Sequence, residues 1–194
     1  MKTLTKCLIV LALAGTTVAA IASNAMASRA LRLLPGGALS VSASGLLTMN
    51  VSGITIICTV DVTSSINGSI DKIAGGSAGS VTGFNLSRCN DGATGSLDSA
   101  STLYYGSFSG VLPSPITGIN TVANPVLFTL RGGVWFANCQ YRSQISIVFH
   151  STSNSITSSS LNGTASPLTS GCPSFTMSGS GLPLVGRSVS FVLA

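Results

Sequence analysis

The chain has 194 residues, only 7% of them charged, and its acidic groups are four Asp and no Glu, with a single His. Acid–base catalysis needs a positioned pair of proton-transfer groups, so this composition argues against an enzyme. The Lys and Arg residues are scattered and form no stripe, which argues against nucleic-acid binding.

The first 27 residues have the organisation of a signal peptide. Lys2 and Lys6 precede the uncharged run Leu8–Ala22, and Ala25-Met26-Ala27 supplies the small residues that signal peptidase requires before its cut. We therefore predict a signal helix over 1–27 and one mature domain over 28–194. This domain is expected outside the cell, at the cell surface or in the periplasm, with no stable membrane span. An uncleaved anchor is the alternative.

The mature chain then reads as short strands. Segments Ala38–Ser44 and Leu46–Ser52 are separated by Gly45, and the strand Ile54–Val62 follows Gly53. In that strand one face is apolar, which predicts a central strand with this face in the core. The residues predicted to face inward are Ile54, Ile56, Cys58, Val60 and Val62.

Asn67-Gly68 is a frequent dipeptide of two-residue hairpin turns, and it precedes a short run, Ser69–Ile73. Such a hairpin would place Asp61 opposite Asp71. Two carboxylates fall short of the six or more oxygens that Ca²⁺ takes, so we predict neither a metal nor a cofactor.

The second half predicts a three-strand meander over Pro125–Arg131, Val134–Arg142 and Gln144–His150, with Ser143 at a corner. Alternation places Trp135, Ala137, Cys139 and Tyr141 on the inner face. The residues then predicted to face outward, as a possible apolar contact patch, are Val134, Phe136 and Val148. A second sheet covering this patch is the alternative.

Asn162-Gly163 suggests another hairpin, and Cys172–Met177 and Arg187–Leu193 the last strands. No window outside the signal has helical periodicity. The fold class is therefore all-β: a disulfide-linked β-sandwich or barrel-like set of antiparallel sheets.

The mature chain has an even number of cysteines, which in an exported protein predicts disulfides. Of the three possible pairings we favour Cys58 with Cys89 and Cys139 with Cys172, because the two loops are then nearly equal and each begins on an apolar strand. A zinc site is the alternative, but the Cys-x-x-Cys pairs of most structural zinc sites are missing.

Gly75-Gly76-Ser77-Ala78-Gly79 matches the Gly-x-Ser-x-Gly pattern of hydrolases, and Asp91, Asp98 and His150 follow in the order of a triad. That pattern is functional where a strand turns sharply into a helix, and no helix-forming segment follows Ser77. We therefore interpret the match as a glycine-rich loop and predict no catalytic residues.

The Cys58 strand, Cys89, the segment Cys139-Gln140-Tyr141-Arg142 and Gly171-Cys172-Pro173 together resemble secreted bacterial proteins named protein activator of alkane oxidation. The resemblance implies a non-enzymatic accessory or adhesion protein that helps cells contact or take up apolar substrates such as alkanes. Its partners would be apolar surfaces or components of the cell envelope.

A structural subunit of an extracellular fibre, such as a pilin, is the alternative. Arg187–Leu193 alternates as a donor or edge strand does, although Leu193 stands where pilins carry a penultimate tyrosine. The amino-terminal segment Arg29–Leu34 is too short and too basic for a donor strand.

Overall fold

The computed structural model describes residues 30–34, 36–71, 73–110, 116–185 and 189–193. This part of the chain is all-β and antiparallel and contains two disulfides, which confirms the predicted fold class. The signal helix predicted over 1–27 lies outside the described residues. Within them, no helix has the length and apolarity to cross a membrane.

The strands differ greatly in length, and the longest ones lie in the second half of the chain. They are β1 (Leu31–Leu34), β2 (Leu39–Val51), β3 (Ile54–Ile66), β4 (Ser69–Ile70), β5 (Ser77–Ser87), β6 (Thr94–Ser99), β7 (Ser101–Gly110), β8 (Ile116–Gly132), β9 (Phe136–Thr152), β10 (Ser155–Pro167), β11 (Phe175–Val185) and β12 (Ser190–Leu193).

Hydrogen bonding between these strands closes the sheet on itself. The order runs β2, β3, β5, then β6 and β7, then β8, β9, β10 and β11, and β11 pairs again with β2. Strands β6 and β7 share one place in the ring, because each of them pairs with a different part of β5 on one side and of β8 on the other. A ring of this kind is the barrel-like form of the predicted fold. The short strands β12, β1 and β4 form a side sheet that joins β10 through the pair Ser155 and Ser190.

Strand β3 is central, as predicted, because it pairs with β2 along its whole length and with β5 over its second half. Ile56, Cys58, Val60 and Val62 are buried, as the alternation predicts. Ile54 is exposed instead, because it directly follows the turn at Ser52-Gly53. Both turn residues have positive φ, as a tight two-residue hairpin requires.

Both Asn-Gly hairpin predictions are wrong. Strand β4 pairs with β1 and not with β3, so Asp61 and Asp71 do not face each other across a hairpin; Asp61 lies opposite Ser44 and Asn85. Asn162 and Gly163 lie inside β10, and the turn before β10 is made by Ser153 and Asn154, both with positive φ. Long-range strand pairing thus overrides the local turn preference of the two dipeptides.

The three strands predicted for the meander of the second half belong to only two long strands, β8 and β9. Ser143 is not a corner: it lies inside β9, is buried, and its hydroxyl donates to the Thr164 carbonyl at 2.8 Å. Gly45, predicted as a break, lies inside β2, where a Cβ would come 2.6 Å from Leu182 Cδ2. A hydrogen bond between strands explains the serine, and a close approach of Leu182 explains the glycine, better than turns do.

The predicted cysteine pairing is confirmed, with Cys58 bonded to Cys89 and Cys139 to Cys172. The sequence separations are 31 and 33, so each bond removes about 3 to 4 kcal/mol of unfolded-chain entropy on the loop-closure account. Since neighbouring strands of the ring are antiparallel, one end of the ring carries the turn Ser52-Gly53 and the segments 88–93, 133–135 and 168–174. We call it the disulfide end because Cys89 and Cys172 lie there.

Candidate functional site

Of the three residues predicted as an outward apolar patch, only Val134 is fully exposed, with 82% of its surface accessible. Val148 is partly buried and pairs with Asn120 and Ser160. The prediction for Phe136 is wrong, because its side chain is 0% exposed and packs edge-on against Tyr141 and Phe175, with ring centroids 6.2 and 5.9 Å away. The predicted patch is therefore not formed.

A β-bulge explains the error. Between the pairs Leu130–Cys139 and Gly132–Phe136, strand β9 contains one residue more than β8. Asn138 lies in the bulge with φ of 128°, and its side-chain oxygen accepts a hydrogen bond from Arg131 Nε at 3.1 Å. An extra residue shifts the alternation by one, so Phe136 and Cys139 both face the core.

Large apolar side chains are nevertheless exposed at the disulfide end. They come from the first residue of β3 and from the β8–β9 and β10–β11 connections, and we call them the apolar rim: Ile54, Val134, Trp135 and Leu168. Trp135 and Val134 are adjacent at the tip of the β8–β9 hairpin. A tryptophan with a partly exposed ring and a polar N–H is well suited to a boundary between water and an apolar phase.

The loop over 88–93 is fastened to the strands below it. Asn90 receives a hydrogen bond from the Ile57 N–H on its side-chain oxygen and donates its own N–H to the Ile57 carbonyl, at 3.1 and 3.0 Å. The Asp91 side chain accepts a hydrogen bond from the Ala93 N–H at 3.0 Å. Its other oxygen, Oδ2, would lie only 2.4 Å from a Cβ added to Gly133. Gly133 is therefore needed for the loop to touch the tip that carries Val134.

The loop over 168–174 is held in the same way. Leu168 donates its N–H to the Gln140 carbonyl at 2.8 Å, and Thr169 Oγ1 accepts from the Gln140 N–H at 3.0 Å. The Tyr141 hydroxyl donates to the Pro173 carbonyl at 3.0 Å, and Cys172 is bonded to Cys139. The loop is thus ordered before any partner binds, which lowers the entropy cost of binding.

The residues of the hydrolase-like pattern are not assembled. Ser77 begins strand β5, so no helix follows it. It pairs with Tyr104, and His150 lies three strands further around the ring and four residues further along its strand, about 14 Å across the strands and about 13 Å along them. His150 Nε2 is 3.0 Å from Ser160 Oγ, and Asp98 accepts from Thr129 and Gln140 at 2.8 and 2.9 Å. In the described part of the chain no three His, Cys, Asp or Glu residues are grouped as metal ligands.

Burial raises the pKa of Tyr141 from 10.0 to about 12. The folded protein therefore keeps this proton where the unfolded chain loses it, so the contribution to stability is complete below about pH 10 and is lost as the pH rises from 10 to 12. We expect the free energy of unfolding, measured with denaturant, to fall over this interval. In Tyr141→Phe the fall should be smaller, and an unchanged fall would contradict the assignment to Tyr141.

No family model, curated protein or solved structure matches this chain.

Proposed function

We propose that this protein is a secreted, non-enzymatic accessory or adhesion protein that adsorbs to apolar surfaces through the apolar rim. The observation that carries the proposal is the exposure of Ile54, Val134, Trp135 and Leu168 at one end of the ring, where hydrogen bonds and a disulfide hold the loop that carries Leu168. Moving such side chains from water to an apolar phase gains about 25 cal/mol per Å² of apolar surface.

Location outside the cytoplasm is compatible with the two disulfides, because such bonds persist in oxidising compartments. Residues 1–27 also support export, because their positive charges, apolar run and small residues before the expected cut are those of a signal peptide. The resemblance to proteins that activate alkane oxidation adds the finer proposal: the adsorbed phase is a liquid alkane or a similar apolar substrate.

A non-enzymatic role is supported by the separation of Ser77 from His150 and by the hydrogen bonds that occupy Asp98. The closed ring supports an accessory domain over a fibre subunit. A pilin subunit needs a strand from its neighbour, whereas here β11 closes the ring onto β2 within one chain.

The proposal is tested by partition of the mature protein between water and hexadecane. Val134→Ser should weaken adsorption about tenfold, since burying a valine side chain is worth about 1.5 kcal/mol. Val185→Ser is the matched control, because Val185 is also exposed, at 61%, but lies at the opposite end of the ring.

Two results would contradict the proposal: wild-type protein that stays in the water, or equal losses in Val134→Ser and Val185→Ser. A hydrolytic activity that disappears in a folded His150→Ala variant would contradict the non-enzymatic role.

A further inference from the structure

A band of uncharged, mostly polar side chains crosses the outside of β9, β10, β11, β2 and β3. Strand register places its members in two rows of directly paired residues, and we call them the hydroxyl–amide face. The first row is Gln144, Thr164, Thr176, Asn50 and Thr55. The second row begins with Ser146, Asn162, Ser178 and Thr48 and ends at the exposed Ile57. Neither row contains an ionisable side chain.

The face is hollowed where β11 leaves its ladder with β2 between Ser178 and Leu184. A depression of about 590 Å³ opens there. Its lining residues are Leu46, Thr48, Ser160, Asn162, Ser178, Gly179 and Ser180. A second depression, of about 380 Å³, is lined by Gln144, Ser146, Asn162, Gly163 and Thr164. Asn162 lines both, so the two depressions lie side by side across β2, β11, β10 and β9, over about 14 Å, and together we call them the groove.

Two glycines lie beneath the groove, with their Cα hydrogens toward the core, and allow the strands to pack closely. A Cβ at Gly163 would lie 3.0 Å from the Gln144 carbonyl oxygen, and one at Gly179 would lie 3.1 Å from the Leu46 carbonyl oxygen. Both distances are tighter than ordinary contacts and involve backbone atoms that cannot rotate away. A larger residue at either position would therefore push neighbouring strands apart and disturb the outward residues that line the groove.

The polar groups that line the groove are available to a ligand. Within the described residues, the side chains of Asn162, Gln144, Thr164 and Ser178 make no hydrogen bond to the protein. An amide offers both donors and acceptors, and a hydroxyl can serve as either. No residue that lines the groove is charged, and the ionisable side chains nearest to it on β9, Arg142 and His150, lie beside the lining residues Gln144 and Ser160. A charged ligand would therefore find no opposite charge among the lining residues, and charge-assisted hydrogen bonds are the strong ones.

We infer that this groove binds a neutral polysaccharide. A sugar hydroxyl both donates and accepts hydrogen bonds, and so do the amide and hydroxyl side chains of the groove. The sugar can therefore be bound through hydrogen bonds without an ion pair. Leu46, 66% exposed at the groove wall, provides an apolar contact for the C–H face of a sugar ring. The inference does not rest on the proposed function, because the groove lies on strand faces and the apolar rim on the loops at one end.

The test is calorimetric titration of the mature protein with dextran, laminarin and galactomannan, and with alginate as an anionic comparison. At least one neutral polysaccharide should bind and alginate should not. Asn162→Ala should weaken binding about tenfold, the effect of losing one hydrogen bond of average strength. Asn85→Ala is the matched control, because Asn85 is exposed on β5 outside the groove. Gln144→Ala is a second groove variant.

Three results would overturn the inference: no neutral polysaccharide binds wild type, alginate binds more tightly, or Asn85→Ala loses as much affinity as the groove variants. A dimer in sedimentation that Asn162→Ala abolishes would assign the groove to a second copy of the chain instead. Val134→Ser should leave polysaccharide binding unchanged while it loses hexadecane adsorption, so failure of one proposal is distinguishable from failure of the other.

Discussion

Replacing Phe136 by Ala is expected to lower the free energy of unfolding by about 3 to 5 kcal/mol, the usual cost of removing a buried phenylalanine ring. The ring is fully buried and contacts Tyr141 and Phe175, and Tyr141 in turn stacks on Phe128 with centroids 5.6 Å apart. Truncation would leave a cavity in this aromatic cluster. The surrounding strands are fixed by their pairing, so the neighbouring side chains would fill the cavity only in part.

Urea unfolding of the oxidised mature protein measures this loss, and Val134→Ala is the control. Val134 lies two residues away on the same hairpin but is exposed, so its truncation should change the free energy of unfolding by less than about 0.5 kcal/mol. The alternation read from the sequence made both residues outward. Similar small effects from the two substitutions would restore that reading and contradict the bulge.

The strand that carries Cys58 could be predicted because its signal is local. Four of its five predicted inward residues are buried, and only Ile54, beside the turn, departs from the pattern. The bulge at Asn138 could not be predicted in this way, since a bulge depends on the pairing of β9 with β8. A weak signal existed: asparagine tolerates positive φ better than most residues do.

Hairpin positions were harder to predict than strands. Asn67-Gly68 and Asn162-Gly163 carry the residues that tight turns favour, yet neither joins two paired strands. Ser153-Asn154 makes the turn between the 17-residue strand β9 and its partner β10. Burial of alternate residues along such long strands outweighs the preference of one dipeptide, which is worth about 1 kcal/mol.

The groove was missed because its members come from four strands, the consecutive β9, β10 and β11 and the distant β2. The sequence shows only that the chain is rich in serine and threonine, and register is needed to place Asn162 beside Ser146 and Ser178. One signal is present on each strand: two polar residues spaced by two positions. The pairs are Thr48 and Asn50, Gln144 and Ser146, Asn162 and Thr164, and Thr176 and Ser178.

The largest effect on stability is expected from Val60→Asp. Val60 is 0% exposed in the centre of β3, between Gly45 on β2 and Leu86 on β5. An aspartate there would bury a carboxyl group without a partner, at a cost of about 4 kcal/mol or more. Because small domains are stable by about 5 to 15 kcal/mol, we expect the variant to be largely unfolded or strongly destabilised.

Thr59→Asp is the control for this substitution, since it adds the same carboxyl group to the neighbouring residue of the same strand. Thr59 faces outward between Leu46 and Ser87, where water can solvate the charge, so the loss should stay below about 1 kcal/mol. Circular dichroism and urea unfolding of the two oxidised variants measure the difference. Equal losses would mean that β3 does not have one face in the core and the other in solvent. The same alternation assigns the polar rows of the groove to the outside, so that assignment would be contradicted too.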